Sequence, residues 1–372
     1  MDYIKIEDCC EILDSQRVPI TGKDRVAGEY PYYGANGIQG YVDDYIFDED
    51  LVLVAEDGGY FGSKTKPIAY KVSGKCWVNN HAHVLKAKDN VDTDYLCYSL
   101  MFYNVDKIVN GATRQKLNQK QLRQMLVPKR TKSKQLEIVR QLKTIDRIIE
   151  NKSAQLSEYD QLIKSRFVEM FGTPLVNEKK WEVLDANDVC TRITDGSHYS
   201  PKDIEKGYPM LSVKDMTNGG FIYDECKHCG ANDYAKLRKN DCVPLKNDVL
   251  IAKDGSYFYY GFVVKEQKEQ AVLSSIAILR PDIQVINPEY LKTYMMSTEI
   301  VRLVGEQYVT GAALKRVILK GIRKIPVMLP PINMQNQFSD FIEQVDKLKF
   351  VVQKSLDETQ KLFDSLMQEY FG

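Results

Sequence analysis

Residues 135–172 read QLEIVRQLKTIDRIIENKSAQLSEYDQLIKSRFVEMFG, and residues 335–372 read QNQFSDFIEQVDKLKFVVQKSLDETQKLFDSLMQEYFG. Moved forward by 200 positions, the first stretch lands on the second with Gln135, Asp146, Leu156, Glu158, Leu162, Ser165, Glu169, Phe171 and Gly172 meeting their own kind. The match extends back through Gly111, Lys120, Arg123 and Val127, which meet Gly311, Lys320, Arg323 and Val327. Upstream it thins: Leu53-Val-Ala-Glu-Asp-Gly58 resembles Leu250-Ile-Ala-Lys-Asp-Gly255, but at a shift of 197. The chain is two copies of one unit, each with a divergent front and a more similar back. Two copies make a pseudo-dimer within one chain, since a solenoid needs more repeats.

The backs are helical. From Ile138, steps of four and three visit Ile138, Leu142, Ile145, Ile149, Lys152, Leu156, Tyr159, Ile163, Arg166 and Met170. The same steps from Phe338 visit Phe338, Ile342, Val345, Lys349, Val352, Leu356, Thr359, Phe363, Leu366 and Tyr370. A heptad seam held over this length is the pattern of a coiled coil, and two such helices in one chain can pair with each other. Prolines mark the entry to each helix, Pro128 before the first and Pro326, Pro330 and Pro331 before the second, because the residue before a proline is pushed out of helix. Phe171-Gly172-Thr-Pro174 supplies a glycine and proline stop.

The fronts, 1–127 and 181–325, are β-rich. Leu51–Ala55, Pro67–Val72, Val249–Ala252 and Ala271–Leu273 are apolar runs between Gly, Asn and Asp turns. Asn118 is placed to cap a short helix over Gln119–Leu126. Lys+Arg and Asp+Glu are equal at 51 each, a net charge of zero that speaks against a non-specific nucleic-acid coat. It leaves room for a specific reader with local basic patches. No signal peptide or apolar run long enough to span a membrane is visible, so the expectation is a soluble, cytoplasmic protein. The eight cysteines do not recur at matching places in the halves, and most are expected to be buried thiols.

The order of variable head, proline-marked junction and long helix ending Met-Phe-Gly, then the whole unit again, resembles the specificity subunits of Type I restriction–modification systems. Arg17-Val-Pro-Ile-Thr21, Tyr30-Pro-Tyr-Tyr-Gly-Ala-Asn-Gly-Ile38, Gly40-Tyr-Val-Asp-Asp-Tyr-Ile-Phe47 and Val78-Asn-Asn-His-Ala-His83 are similar to one class of target-recognition domain. Trp181-Glu-Val, Ile193-Thr-Asp-Gly-Ser-His-Tyr-Ser-Pro201 and Asp254-Gly-Ser256 are similar to another. The first head departs from the second in opening at Tyr3, without the lead-in that precedes Trp181.

The resemblance implies an α+β fold: two globular β-rich target-recognition domains joined by two long antiparallel coiled-coil helices, with an internal pseudo-two-fold repeat. The divisions are 1–127, first recognition domain; 128–172, first spacer helix; 173–180, linker; 181–325, second recognition domain; 326–372, second spacer helix. It further implies that each head reads half of a split target in double-stranded DNA. The subunit would dock methyltransferase subunits and, in the nuclease form, restriction subunits, with no catalysis, cofactor or metal of its own. The chain from Ile138 to Met170 would span about 48 Å as helix, comparable with one turn of B-DNA or a little more.

Candidate DNA contacts lie in two polar, basic, glycine-flexible segments, Lys64 and Lys66 in 62–66 and Arg114 and Lys116 in 110–116; Ser256 and Tyr257 in 256–260, and Lys315 and Arg316 in 311–316, occupy similar places in the second half. Arg17, Asn79, Asn80, His198 and Lys202 join them from the segments that carry the resemblance. Arg and Lys suit guanine edges, Asn and Gln adenine edges, and both suit phosphates. Other chemistry is weakly signalled. Gly58–Thr65 has Ser63 where a phosphate loop needs its second glycine, and Cys226-Lys-His-Cys229 with Cys242 lacks the second pair of a zinc site. Asp248 to Lys253 only loosely imitates a nuclease carboxylate set, and no methyltransferase signature is found. A self-contained methylase or nuclease, and a coiled-coil scaffold that never touches DNA, are the competing readings.

Overall fold

The computed structural model describes residues 2–106, 108–109, 115–255, 257–311 and 315–372. Arg114 and Ser256 lie outside them. The chain forms two compact units, one of Met1–Ser153 with Gln353–Gly372 and one of Ala154–Val352. Both long helices contribute to both units: the first runs Lys132–Phe171 and the second Ile332–Phe371.

In the first unit, Tyr3–Lys5 pairs antiparallel with Leu126–Pro128, Ile4 opposite Val127. The head thus opens and closes on one two-stranded ribbon, and this pairing anchors the strand beginning at Tyr3. An antiparallel sheet follows in the order Cys10–Ile12, Ala82–Ala87, Leu51–Ala55, Ala69–Val72. Leu51–Ala55 is buried along its whole length, which is why it reads as an unbroken apolar run. A second sheet is ordered Gly37–Val42, Tyr30–Gly34, Lys75–Val78, Phe47–Asp48. Helix Thr93–Met101 follows the sheets, with the Asp92 carboxylate accepting from Asp94 N and Tyr95 N. Asn118 caps Gln119–Gln124 in a reciprocal capping box with Gln121.

The second unit repeats this plan. Glu182–Asp185 pairs with Pro326–Leu329, and the main sheet runs Cys190–Asp195, Ile276–Pro281, Val249–Ala252, Gly261–Val263. Helix Pro288–Met295, capped by Asn287, stands where Thr93–Met101 stands in the first unit. The heads diverge in what is hung on this frame. The second carries the strand Lys227–Cys229 and helix Ala231–Lys239, where the first has the hairpin strand Gly37–Val42 and Phe47–Asp48.

Within each unit the long helices pair antiparallel. In the first, Lys152 Nζ donates to Ser355 Oγ at 2.7 Å and Tyr370 OH to Gln141 Oε1 at 2.6 Å. In the second, Lys349 Nζ donates to Asp160 Oδ1 at 2.5 Å, and the Phe171 and Phe338 rings meet edge to face at 5.5 Å. Each polar break in the seams has an answer. Lys152 and Lys349 reach across the pair, Arg166 lies 5.9 Å from the Phe341 ring, and Thr359 Oγ1 donates to Ser355 O of its own helix. The starts of the seams are deeply buried: Ile138 and Leu142 join the first core together with Phe363 of the opposite helix, and Phe338 and Ile342 join the second together with Phe167, one position off the seam. Burying one such side chain contributes about 1.5–3 kcal/mol. Gly172 takes φ +83°, the left-handed turn that ends the first helix. No helix among the described residues is long and apolar enough to cross a membrane.

Candidate nucleic-acid interface

The central strand of each main sheet runs into the same turn: Leu51–Ala55 into Glu56-Asp57-Gly58 and Val249–Ala252 into Lys253-Asp254-Gly255. Gly58 and Gly255 hold φ +66° and +67°, a conformation in which a side chain is strained. In both units a returning segment clasps this turn by an antiparallel bridge, Asp57 with Lys116 and Asp254 with Arg316. Lys116 and Arg316, the last residues of two segments singled out from sequence, are therefore brought to the same place on the same frame.

Beneath each clasp lies a network of charges. In the first unit Asp14 follows the strand Cys10–Ile12, and in the second Asp195 ends the strand Cys190–Asp195. Asp14 Oδ2 lies 2.6 Å from His83 Nδ1, while His83 Nε2 donates to Leu117 O at 2.7 Å. Arg17 donates to Glu56 Oε2 and Ala82 O, both at 2.7 Å, and Lys116 Nζ sits 3.0 Å from Glu56 Oε1. In the second unit the buried ammonium of Lys253 stands 3.3 Å from Asp195 and 3.4 Å from Asp254. His198 and Arg316 flank the same two acids at 3.2 Å each. The position after the central strand is thus acidic in one head, Glu56, and basic in the other, Lys253, and each neighbourhood is charged to match.

Burial alone would raise the Asp14 carboxyl. The bond and charge of His83, with Val84 N and Gln119, outweigh it and hold Asp14 below the usual range. Burial likewise opposes Glu56, and hydrogen bonds from Arg17 and Lys116 bring it down. Depressed folded-state values mean stability that is complete above the unfolded pKa and lost as pH falls through the folded one. Above about pH 5, Asp14→Asn should lower the denaturation midpoint by a constant amount; below about pH 4 the difference should close. A gap that widens in acid would show the sign to be wrong. Lys253→Ala removes the cation between Asp195 and Asp254 and should cost about 3 kcal/mol, the lower end for a broken buried pair because His198 and Arg316 remain. A denaturant midpoint equal to the parent's would place those acids in water.

The other sequence candidates fall into two groups. Lys64, Asn80, Lys202 and Lys315 are exposed, Lys66 lies 4.6 Å over the Tyr60 ring, and the His198 side chain is 76% exposed. Arg17, Asn79 and Tyr257 are built in. Arg17 is held by the network, Asn79 bonds to Gln39 Oε1 and His81 N, and Tyr257 packs on the second core. Asp14, Glu56, Asp195 and Lys253 carry the networks but are not among the sequence candidates; the signal for Glu56 and Lys253 is the repeated Ala-x-Asp-Gly at the end of each central strand.

The remaining motifs resolve into structure. Strand Ala69–Val72, not a helix, follows Gly58–Thr65. Cys226 packs beside Leu211 and Met216, whereas Cys229 and Cys242 sit in another cluster with Met210 and Tyr234. Asp248 is consumed by a bidentate pair with Arg280 at 2.9 and 3.0 Å. Asp14, Glu56 and His83 bring three potential metal-ligand atoms within 4.8 Å of one another. Arg17 and Lys116 already neutralise that group, and both His83 nitrogens are engaged.

The family model described as the Type I restriction modification DNA specificity domain matches residues 1–158 and 178–358. The chain is 24% identical over 377 residues to a putative type I restriction enzyme specificity subunit of Haemophilus influenzae, covering 98% of this chain and 93% of that one. It is 18% identical over 379 residues to the EcoBI specificity subunit of Escherichia coli, covering 91% and 76%. Among solved structures, the S subunit from M. genitalium superposes with a TM-score of 0.60 at 14% identity, covering 100% of this chain and 96% of that one. A chain from a structure of type I R-M complex assembly and conformational transition gives 0.52 at 14% identity, covering 100% and 97%.

Proposed function

The chain belongs to the Type I restriction–modification specificity-subunit family, and from that footing we propose that it reads a bipartite DNA target, one half-site per head, for methyltransferase subunits docked on it. The heads are 1–127 and 181–325, the spacer helices 128–172 and 326–372, and 173–180 the link between the copies. The subunit performs no chemistry itself; it places the enzymes that do.

The duplicated clasp carries this reading. Two heads share one frame, present the same turn and returning segment, and differ in the chemistry around it. A frame repeated with altered contact chemistry is what two independent readers need. The exposed cations near the clasps and on the heads, Lys64, Lys66, Lys116, His198, Lys202, Lys315 and Arg316, are proposed to meet phosphates and base edges. Arg114 and Ser256 belong to the same proposal by sequence position. Arg17 and Asn79 would act by holding the turn and the strand end in place.

Exposed apolar residues support docking along the helices. Ile148 and Leu162 stand two heptads apart on the first, and Leu348 and Leu362 occupy the matching positions on the second. Repeated at the same two positions of both helices, they fit a partner that binds once to each unit.

The test is to reconstitute the chain with its methyltransferase subunits and map methylated sites. The expected product is a split sequence with a fixed gap. Unpatterned methylation, or none beyond that of the methyltransferase alone, would leave the rival enzyme and scaffold readings standing.

A further inference from the structure

Each head is fastened to the long helices by the same buried joint, although the heads otherwise share little sequence. Gln135, near the start of the first long helix, and Gln335, near the start of the second, are 1% and 0% exposed. Gln135 Oε1 accepts from Asp92 N at 2.7 Å, and its Nε2 donates to Asn90 O at 3.0 Å and Arg130 O at 2.9 Å. Gln335 Oε1 accepts from Asn287 N at 2.9 Å, and its Nε2 donates to Val285 O at 3.4 Å and Pro330 O at 2.8 Å. Asp92 and Asn287 are the N-caps of Thr93–Met101 and Pro288–Met295. One amide therefore ties the start of a long helix to the start of this equivalent helix in its head.

A tyrosine completes the joint. Tyr95 OH donates to Pro128 O at 2.9 Å, and Tyr290 OH to Met328 O at 2.8 Å. Their rings rest on the far ends of the opposite helices, Tyr95 on Phe371 at 5.2 Å and Tyr290 on Phe171 at 4.9 Å. Each head is thus referenced to both helices, by Gln to the one that begins beside it and by Tyr to the one that ends there. The buried amide, its backbone partners and the tyrosine hydroxyl are all satisfied in this one arrangement. A rocked head would leave several of them unpaired, which is costly in a buried site.

Resting on the function proposed above, we propose that Gln135 with Tyr95, and Gln335 with Tyr290, are positioning residues that set the gap the complex accepts between half-sites. They act through the angle of each head and lie apart from the clasp. Neighbouring gaps differ by about 3.4 Å along DNA, so a head free to rock by that much would accept both.

The experiment uses the full chain with its methyltransferase subunits and duplexes carrying both half-sites at gaps from two shorter to two longer than the preferred one. Gln135→Ala and Tyr95→Phe, and separately Gln335→Ala and Tyr290→Phe, should raise methylation at neighbouring gaps, relative to the preferred one, by about tenfold, the scale of one lost hydrogen bond. Base preferences within the half-sites should not change. Leu53→Ala, a core truncation in the separate cluster with Phe47 and Val78, should lower stability and keep the parental gap profile. Should the Gln variants fail to fold, the Tyr→Phe variants, which lose a single hydroxyl each, decide the matter. Folded joint variants with the parental gap profile would overturn the inference and leave the bipartite reading intact. A parent protein with no preferred gap would remove the reading itself, and the inference with it.

Discussion

Exchanging residues 1–127 for the equivalent head of another specificity subunit changes one half of the methylated sequence and leaves the other half as it was. The expectation follows from how the first head is bounded. It enters and leaves on the ribbon of Tyr3–Lys5 and Leu126–Pro128, and its sheets and clasp are completed by its own residues. Its attachment to the helices passes through Asp92, Tyr95, Gln135 and Phe371, so a transplanted head must bring the first two of these. The readout is methylome sequencing of cells carrying the hybrid and the methyltransferase. A complete loss at one half-site with full retention at the other is the predicted scale of effect. If both halves change together, the heads do not read independently.

Lengthening both helices by seven residues, after Ser153 in the first and before Gln353 in the second, yields a complex that methylates the same half-sites at a longer gap. Seven residues preserve the heptad seam, whereas an insertion in one helix would leave the antiparallel partner short. The added rise is about 10.5 Å, or about three base pairs at about 3.4 Å each. DNA also turns once in about 10–10.5 base pairs, so facing pulls against length and the accepted gap should grow by about one to three. Assay of the gap series reads this directly. A folded insertion complex that still methylates only the original gap would mean that the helices are not the ruler.

The repeat, the heptad seams, the proline junctions and the Asn118 cap were legible because each depends on residues close in sequence. The shared frame of the heads was not. Asp14 and Asp195 hold equivalent places at a shift of 181, while Leu53 and Leu250 match at 197 and Gln135 and Gln335 at 200. Loops of unequal length slide the two copies past one another, so no single offset aligns them. The networks were hidden for another reason: Glu56 and Lys253 occupy one position with opposite charge, and each meets a partner far away in sequence, Arg17 for Glu56 and Asp195 for Lys253. Arg17 has the composition of a DNA contact, and only the geometry places its guanidinium against Glu56 and Ala82 O.

The first compact unit is assembled from two separated pieces of chain, Met1–Ser153 and Gln353–Gly372, while the second, Ala154–Val352, is continuous. On the ribosome this imposes an order. The second unit has all its own residues when Val352 has been made. The first head must wait with Tyr95, Ile138 and Leu142 uncovered until Phe363 and Phe371 arrive. At synthesis rates of about 5–20 residues per second, the roughly two hundred intervening residues take about 10–40 seconds. For that interval the nascent protein offers an apolar helix face to whatever is nearby, which makes this half of the molecule a client for chaperones and the place where premature termination would leave a sticky, unfinished product.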